Sequence, residues 1–188
     1  MTFKEFEKAV HDIDSYLGDD FYNYVTDCIN GGAEENEIFD APVIFECSDN
    51  ARRAHQSKLK GRAGIYLFVM NCDYLFGEEQ IIHYTNTNGA KLNFNEPREL
   101  KKDSVFYVGS KNDSIYVRIG QHLNGTADSL SLSSSYRHFM CDRLLIVGLP
   151  IKKNVAELLK NNEMMKSFLL LTENSIHKYW HPHAGTAR

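Results

Sequence analysis

The chain has 188 residues, 43% of them hydrophobic and 24% charged, which is the make-up of a soluble globular domain large enough for a real core. No stretch reaches the roughly 20 apolar residues of a membrane span, and the charged N-terminus MTFKEFEKAV has no apolar signal-peptide core. The expectation is a cytoplasmic protein without membrane association. The net charge of −4 argues at first against a nucleic-acid partner, yet it is unevenly spread: residues 1–50 hold two lysines against thirteen acids, and residues 51–188 carry a net +7. A basic remainder is the footprint of phosphate binding, and a solvated surface of mixed charge accounts for it equally well. The four cysteines, Cys28, Cys47, Cys72 and Cys141, are far apart in sequence. That spacing suits neither a zinc knuckle nor a redox pair, so free thiols in a reducing compartment are expected.

In chain order, residues 3–29 carry apolar positions Phe3, Phe6, Val10, Ile13, Leu17, Phe21, Tyr24, Val25 and Cys28 at helical spacing, interrupted near Gly18-Asp19-Asp20. One helix or two fit equally. Residues 30–36 read as a loop, and Val43-Ile44-Phe45 as a short strand after Pro42. Residues 50–62 (NARRAHQSKLKGR) are basic and weakly helical, a linker or an arm. Residues 64–70 form an apolar run bounded by glycine and predict a buried strand. Residues 79–85 (EQIIHYT) and 104–108 are two more predicted strands, and the polar, Asn-rich segment 85–100 between them is a predicted loop.

Residues 113–122 predict a helix capped from Asn112 or Asp113, with Gly120 costing about 1 kcal/mol inside it. Residues 126–135 are Ser-rich and predict a mobile loop. Residues 139–149 (FMCDRLLIVGL) predict a strand closed by Gly148 and Pro150. Residues 154–180 predict helix, broken in two near Asn161-Asn162 and ended by His181-Pro182. Strands and helices without regular alternation predict an α+β fold rather than a doubly wound sheet.

Two short strings carry the chemistry. Gly64-Ile65-Tyr66 opens one apolar run and Tyr107-Val108-Gly109 closes another. Arg118 follows Tyr107 by eleven residues, His122 lies one helical turn further on, and Glu173 sits in the C-terminal helical pattern. Phenol, guanidinium, imidazole and a lone carboxylate together suit phosphodiester cleavage: a group to handle a proton, a group to hold phosphate and a ligand for one hard metal ion.

The ordered set GIY (64–66), YVG (107–109), Arg118, His122 and Glu173 resembles the GIY-YIG nuclease family over about residues 63–183. Each tripeptide is weak alone; Arg and His at i, i+4 on one helical face make the set more specific. The resemblance implies a small central mixed or antiparallel sheet flanked by helices, with the two motif strands paired so that both tyrosines face one groove. It divides the chain into an acidic N-terminal helical extension with a basic linker (1–60) and a nuclease domain (61–188). Tyr66 and Tyr107 stand 41 residues apart, so an insertion at about 72–103 follows.

The same resemblance implies a DNA endonuclease acting on double-stranded DNA with Mg²⁺ (Mn²⁺ substituting), closest to the restriction-enzyme branch and compatible with a homodimer. In it Glu173 holds the metal, Arg118 clamps the scissile phosphate, His122 orients a tyrosine or relays its proton, and Tyr66 or Tyr107 handles the proton of the attacking water. Lys111 is a phosphate contact or an exposed turn lysine. Two departures stand out: no Asn aligns beyond the Glu, where Trp180-His181-Pro182-His183 occurs, and the acidic N-terminus has no counterpart in the minimal domain. Glu157 and Glu163 compete with Glu173 for the metal. His177 and His181, also at i, i+4, could serve zinc, although no Glu follows the first of them. The alternatives are a non-catalytic nucleic-acid-binding module that keeps the fold, a homing or repair-type nuclease, and an inhibitory protein whose acidic quarter mimics DNA.

Overall fold

The structure, a computed structural model, describes residues 19–87, 92–124, 141–159 and 161–185. Its centre is a four-stranded sheet of β1 (Val43–Glu46), β2 (Gly64–Met70), β5 (Val105–Lys111) and β6 (Leu144–Pro150). The strand order is β1-β6-β2-β5, and every neighbouring pair is antiparallel. A separate two-stranded ribbon pairs β3 (Tyr74–Phe76) with β4 (Arg98–Leu100). The helices are α1 (Asp19–Ile29), α2 (Asp49–Ala54), α3 (Gln56–Leu59), α4 (Glu78–Thr87), α5 (Ile115–Asn124), α6 (Lys153–Leu158) and α7 (Asn162–Trp180). The fold is α+β, an antiparallel sheet flanked by helices. No helix among the described residues is long and apolar enough to cross a membrane.

The central strand β2 is buried along its whole length, which is why it reads as a continuous apolar run. Its alternate side chains feed two cores. Tyr66, Phe68 and Met70 pack with Ile115, Ile119 and Leu123 of α5 and with Phe76, Tyr84 and Leu100 from β3, α4 and β4. Ile65, Leu67 and Val69 pack with Phe21 and Val25 of α1 and with Phe168, Leu169 and Ile176 of α7. Each of these fully buried side chains contributes roughly 1.5–3 kcal/mol relative to exposure. The sheet thus separates α5, with Arg118 and His122, from α7, with Glu173.

Several elements depart from the sequence expectation. Residues 79–85 are not a strand: they lie in α4. Ile81 and Tyr84 are buried three apart while Ile82 is exposed, a helical rather than alternating pattern, and Glu78 and Glu79 occupy the first turn, where the helix dipole favours acids. Part of the predicted loop 85–100 forms β4. The last predicted strand begins at Leu144, after a 3₁₀ turn at Cys141–Arg143, because Asp142 and Arg143 would place charge on a buried strand. Helix α5 is capped by Ser114, whose Oγ accepts from Val117 N (3.4 Å), not by Asn112 or Asp113. The part of the predicted N-terminal helix before residue 19 and the Ser-rich loop 126–135 lie outside the described residues.

The basic stretch 50–62 is neither linker nor arm. Arg52 is buried; it bonds Asp49 Oδ1 (2.6 and 2.9 Å) and Tyr116 O (3.2 Å), and lies 4.1 Å from the centre of the Tyr116 ring. A Cβ at Gly120 would come within 2.9 Å of this guanidinium, so the glycine inside α5 gives Arg52 its place. Arg62 donates to Asp40 Oδ2 and to Ile151 O. Arg52 and Arg62 therefore tie α2 and the β2 entry to the rest of the fold. Helix α7 begins at Asn162 after the predicted break and ends on His181 in the left-handed region (φ 44°), as the His-Pro pair predicts. Cys28, Cys47, Cys72 and Cys141 are all unbridged, and burial pushes the Cys28 thiol up to about 12.

Candidate active site

Strands β2 and β5 bring the two tyrosines together. Tyr66 lies directly opposite Gly109, and Phe68 opposite Tyr107. A register shift between Phe68 and Val69 puts both Phe106 and Tyr107 into the core that faces α5. The rings of Tyr66 and Tyr107 are 6.5 Å apart between centroids. Tyr66 has a glycine opposite it on each side, Gly109 on β5 and Gly148 on β6. Its ring lies over Gly109, where any Cβ would overlap the phenol oxygen. The glycine of the second motif thus exists for the tyrosine of the first. Gly64 has a separate reason: a Cβ there would overlap the carbonyl of Leu149 on β6.

Helix α5 delivers the next two groups. His122 is fully buried among Tyr66, Phe68 and Tyr107, with ring centroids 5.4, 5.7 and 5.3 Å away. The Tyr66 hydroxyl and His122 Nε2 are 2.7 Å apart. Arg118, half-buried one turn earlier, bonds Gln121 Oε1 (3.0 Å), and its charge is felt at the Tyr66 phenol. The sequence spacing placed Arg118 and His122 on one helical face; the structure sets His122 against the Tyr66 hydroxyl and puts that phenol in the field of Arg118.

Burial pushes the Tyr66 phenol well above its usual range, and the neighbouring Tyr107 adds to the rise. Arg118 opposes it by charge and by hydrogen bond, while the negative field of Glu173 raises it further. Tyr66 is therefore a protonated phenol at neutral pH, 2.7 Å from His122 Nε2.

Glu173 comes from the opposite layer, on α7, and is 8% exposed. Its Oε2 accepts from Ser110 Oγ at 2.7 Å. Ser110 alternates with Tyr107 and Gly109 along β5, so the edge strand presents the tyrosine to α5 and the serine to α7. The competing acids are placed differently. Glu157 and Glu163 are exposed, and Glu163 pairs with Lys166 at 2.9 Å. Beside Glu173 an open cleft of about 320 Å³ is lined by Ser110, Lys111, Asn112, Lys166, Leu169 and Leu170. Lys111, 3.7 Å from Asp113, lies at this cleft rather than on the tyrosines. One carboxylate, a hydroxyl, an amide and open space make an oxygen-donor set that fits a hard, largely hydrated cation such as Mg²⁺. Among the described residues no group of three or more His, Cys, Asp or Glu is placed to hold a metal, so His177 and His181 form no zinc cluster there.

Sequence reasoning missed Ser110, Gln121 and Gly109's steric role, none of which is visible before the register is known. It also left open what Trp180-His181-Pro182-His183 does. Residues 183 and 184 donate to Val105 O (3.1 Å) and Phe106 O (2.7 Å), covering part of the outer edge of β5, and Asn93, just before β4, donates to Pro182 O (2.6 Å).

Two predictions follow from this geometry. Gly109→Ala forces the Tyr66 ring from its seat and is expected to lower stability by about 1–3 kcal/mol, the range for overpacking. Thermal unfolding checks it, and an unchanged melting temperature would contradict the described seat of Tyr66. His183 is buried with Nε2 3.1 Å from Ser104 Oγ, and burial, helped by the charge of Arg98, pulls its pKa down to about 4. The folded protein keeps this imidazole neutral down to that pH, whereas the unfolded chain takes up a proton near 6.5. Stability is therefore lost as pH falls from about 6.5 to about 4, by at most about 3 kcal/mol, and is level below. The variant His183→Gln is expected to flatten that window in a melting-temperature series; an identical slope in both proteins would count against it.

No protein-family model, curated protein or solved structure matches this chain.

Proposed function

We propose that the protein is a metal-dependent DNA endonuclease of the GIY-YIG type, and within that type a sequence-specific restriction enzyme. The observation that carries this reading is the Tyr66 hydroxyl 2.7 Å from His122 Nε2, with Tyr107 beside it and the fields of Arg118 and Glu173 acting on it. Those groups match, position by position, the ordered motif set read from the sequence. The four unbridged thiols suit a cytoplasmic setting.

In this reading the substrate is double-stranded DNA. Arg118 holds the non-bridging oxygens of the scissile phosphate through charge-assisted bonds. Water attacks phosphorus in line with the 3′ oxygen, the P–O3′ bond breaks, and the products are a 5′-phosphate and a 3′-alkoxide that takes its proton from solvent water. The water proton goes to the Tyr66 oxygen as Tyr66 passes its own proton to His122 Nε2. A raised phenol pKa is compatible with this relay, because no free phenolate has to form in the resting protein. Glu173, oriented by Ser110, would hold Mg²⁺ or Mn²⁺, with Lys111 near the phosphate. Such an ion offsets charge on the pentavalent phosphorus and the leaving oxygen when bound. One site cuts one strand, so a double-strand break takes two copies or two successive nicks.

A second reading is favoured by one observation: Tyr66 and His122 are 1% and 0% exposed. A sealed pair of this kind suits a non-catalytic nucleic-acid-binding module that keeps the fold. The test is incubation of purified protein with a complex phage DNA in Mg²⁺. Discrete fragments are the expected result. A smear would retain the nuclease and remove the restriction subtype, and DNA binding without cleavage in Mg²⁺ or Mn²⁺ would select the binding module.

A further inference from the structure

A second cleft, of about 430 Å³, opens further along α7, lined by Arg98, Asn174, His177, Lys178 and His181 together with Asn93. It is larger than the cleft at Glu173, and none of the roles above uses it. Lys166, Leu170 and Glu173 line the first cleft, and Asn174, His177, Lys178 and His181 line the second. These positions recur every three or four residues, so both clefts lie along one face of α7 with Glu173 and Asn174 at their junction. The second wall of the new cleft is Arg98, supplied by β4 of the inserted ribbon.

The lining is rich in donors. It carries two cations, two imidazoles and two amides, and no carboxylate. Among the described residues neither Arg98 nor Lys178 is within salt-bridge distance of an acid; Glu99, beside Arg98, pairs instead with Lys101 at 2.7 Å. The charge of Arg98 is felt at His183. Burial lowers the pKa of His177, which leaves it a neutral imidazole with an N–H to offer. Cations are also distributed rather than gathered: Lys166 and Lys178 are twelve residues apart, about 18 Å along the helix. A nucleic-acid strand of that length carries several phosphates. A single small anion would need converging cations; a linear polyanion of regular charge spacing needs a line of them.

We propose that this face of α7 is the track of one DNA strand, and that the second cleft seats a phosphodiester neighbouring the one at Glu173, with Arg98 and Lys178 as its cations. The proposal rests on the nuclease reading and adds to it: the inserted segment 72–103 serves as the outer wall of the strand-binding groove. An acidic peptide is the competing occupant, disfavoured because the line of cations passes a carboxylate at its midpoint, which a metal ion would offset for phosphate during catalysis.

The test is binding of a fluorescein-labelled random-sequence duplex, measured by anisotropy in chelator so that no cleavage occurs, across a salt series. Wild type is compared with Arg98→Ala/Lys178→Ala, with the charge-preserving Arg98→Lys/Lys178→Arg, and with Lys58→Ala/Lys60→Ala on a distant surface. Both target side chains are at the surface, and circular dichroism checks that each variant folds. The expected result is a salt slope reduced by about two units in the first variant, about 0.9 per lost phosphate contact, with affinity down at least tenfold at low salt. The charge-preserving and distant variants should stay near wild type. Wild-type slope and affinity in Arg98→Ala/Lys178→Ala would overturn the subsite while leaving the nuclease reading intact. Poly-glutamate displacing the duplex as well as unlabelled DNA does would also overturn it. Wild-type protein that binds no DNA at low salt would overturn this proposal and the nuclease reading together.

Discussion

Replacing Glu173 by Gln is expected to lower Mg²⁺-dependent DNA cleavage by on the order of 10³-fold or more, the several kcal/mol that a metal contributes to the transition state. The substitution is nearly isosteric. The Gln carbonyl can still accept from Ser110 Oγ, so the side chain keeps its anchor on β5. What disappears is the negative charge that a hard cation requires from a site with a single carboxylate. Stability should change little, because removing charge from a nearly buried group offsets part of the lost hydrogen-bond strength. Single-turnover cleavage and thermal unfolding of the two proteins separate the effects. A Gln variant that folds and cleaves at the wild-type rate would remove Glu173 from the metal, and neither Glu157 nor Glu163 offers a buried replacement.

The change Tyr66→Phe is expected to affect both stability and rate. It removes one oxygen from the centre of the site and leaves His122 Nε2 buried without its partner 2.7 Å away. Losing a hydrogen bond at a fully buried polar atom costs about 1–3 kcal/mol. The same change removes the proton path from water to His122, and a lost general base lowers the chemical step by about 10²–10⁴-fold. A structural role alone would move stability and leave the rate of the folded fraction unchanged. That outcome would favour the binding-module reading. Adding His122→Phe to Tyr66→Phe should cost little further rate, because the two side chains act as one unit.

The central fold was legible because its strands are short apolar runs punctuated by glycine or proline. The run at 64–70 is buried on both faces, so it could only be central. The α7 helix was legible from its period and its His-Pro ending. Residues 79–85 were not, because Ile81-Ile82 side by side satisfies a two-residue and a three-to-four-residue period equally over so short a window. The three residues of β4, Arg98, Glu99 and Leu100, carry no period at all, and only their pairing with Tyr74–Phe76 makes them a strand.

Within the site, residue identity was legible and convergence was not. The spacing of Arg118 and His122 set a shared helical face, but their meeting on Tyr66 depends on how α5 packs across β2. The reason for Gly109 appears only once the register puts it opposite Tyr66. Ser110 as the anchor of Glu173 requires knowing that the edge strand is shared by two helical layers. The arginines at 52 and 62 mark the opposite error: in a basic run read as a linker or an arm, they hold α2, α5 and the entry to β2 in place.

The most direct measurement is cleavage of one supercoiled plasmid by wild-type protein stripped with chelator and then given back Mg²⁺. Conversion to nicked or linear DNA is expected to be absent in chelator and to return with a rate that saturates in Mg²⁺. Undiminished cutting in chelator, or no cutting with either Mg²⁺ or Mn²⁺ restored, would contradict a metal-dependent phosphodiester hydrolase built on Tyr66, Arg118, His122 and Glu173.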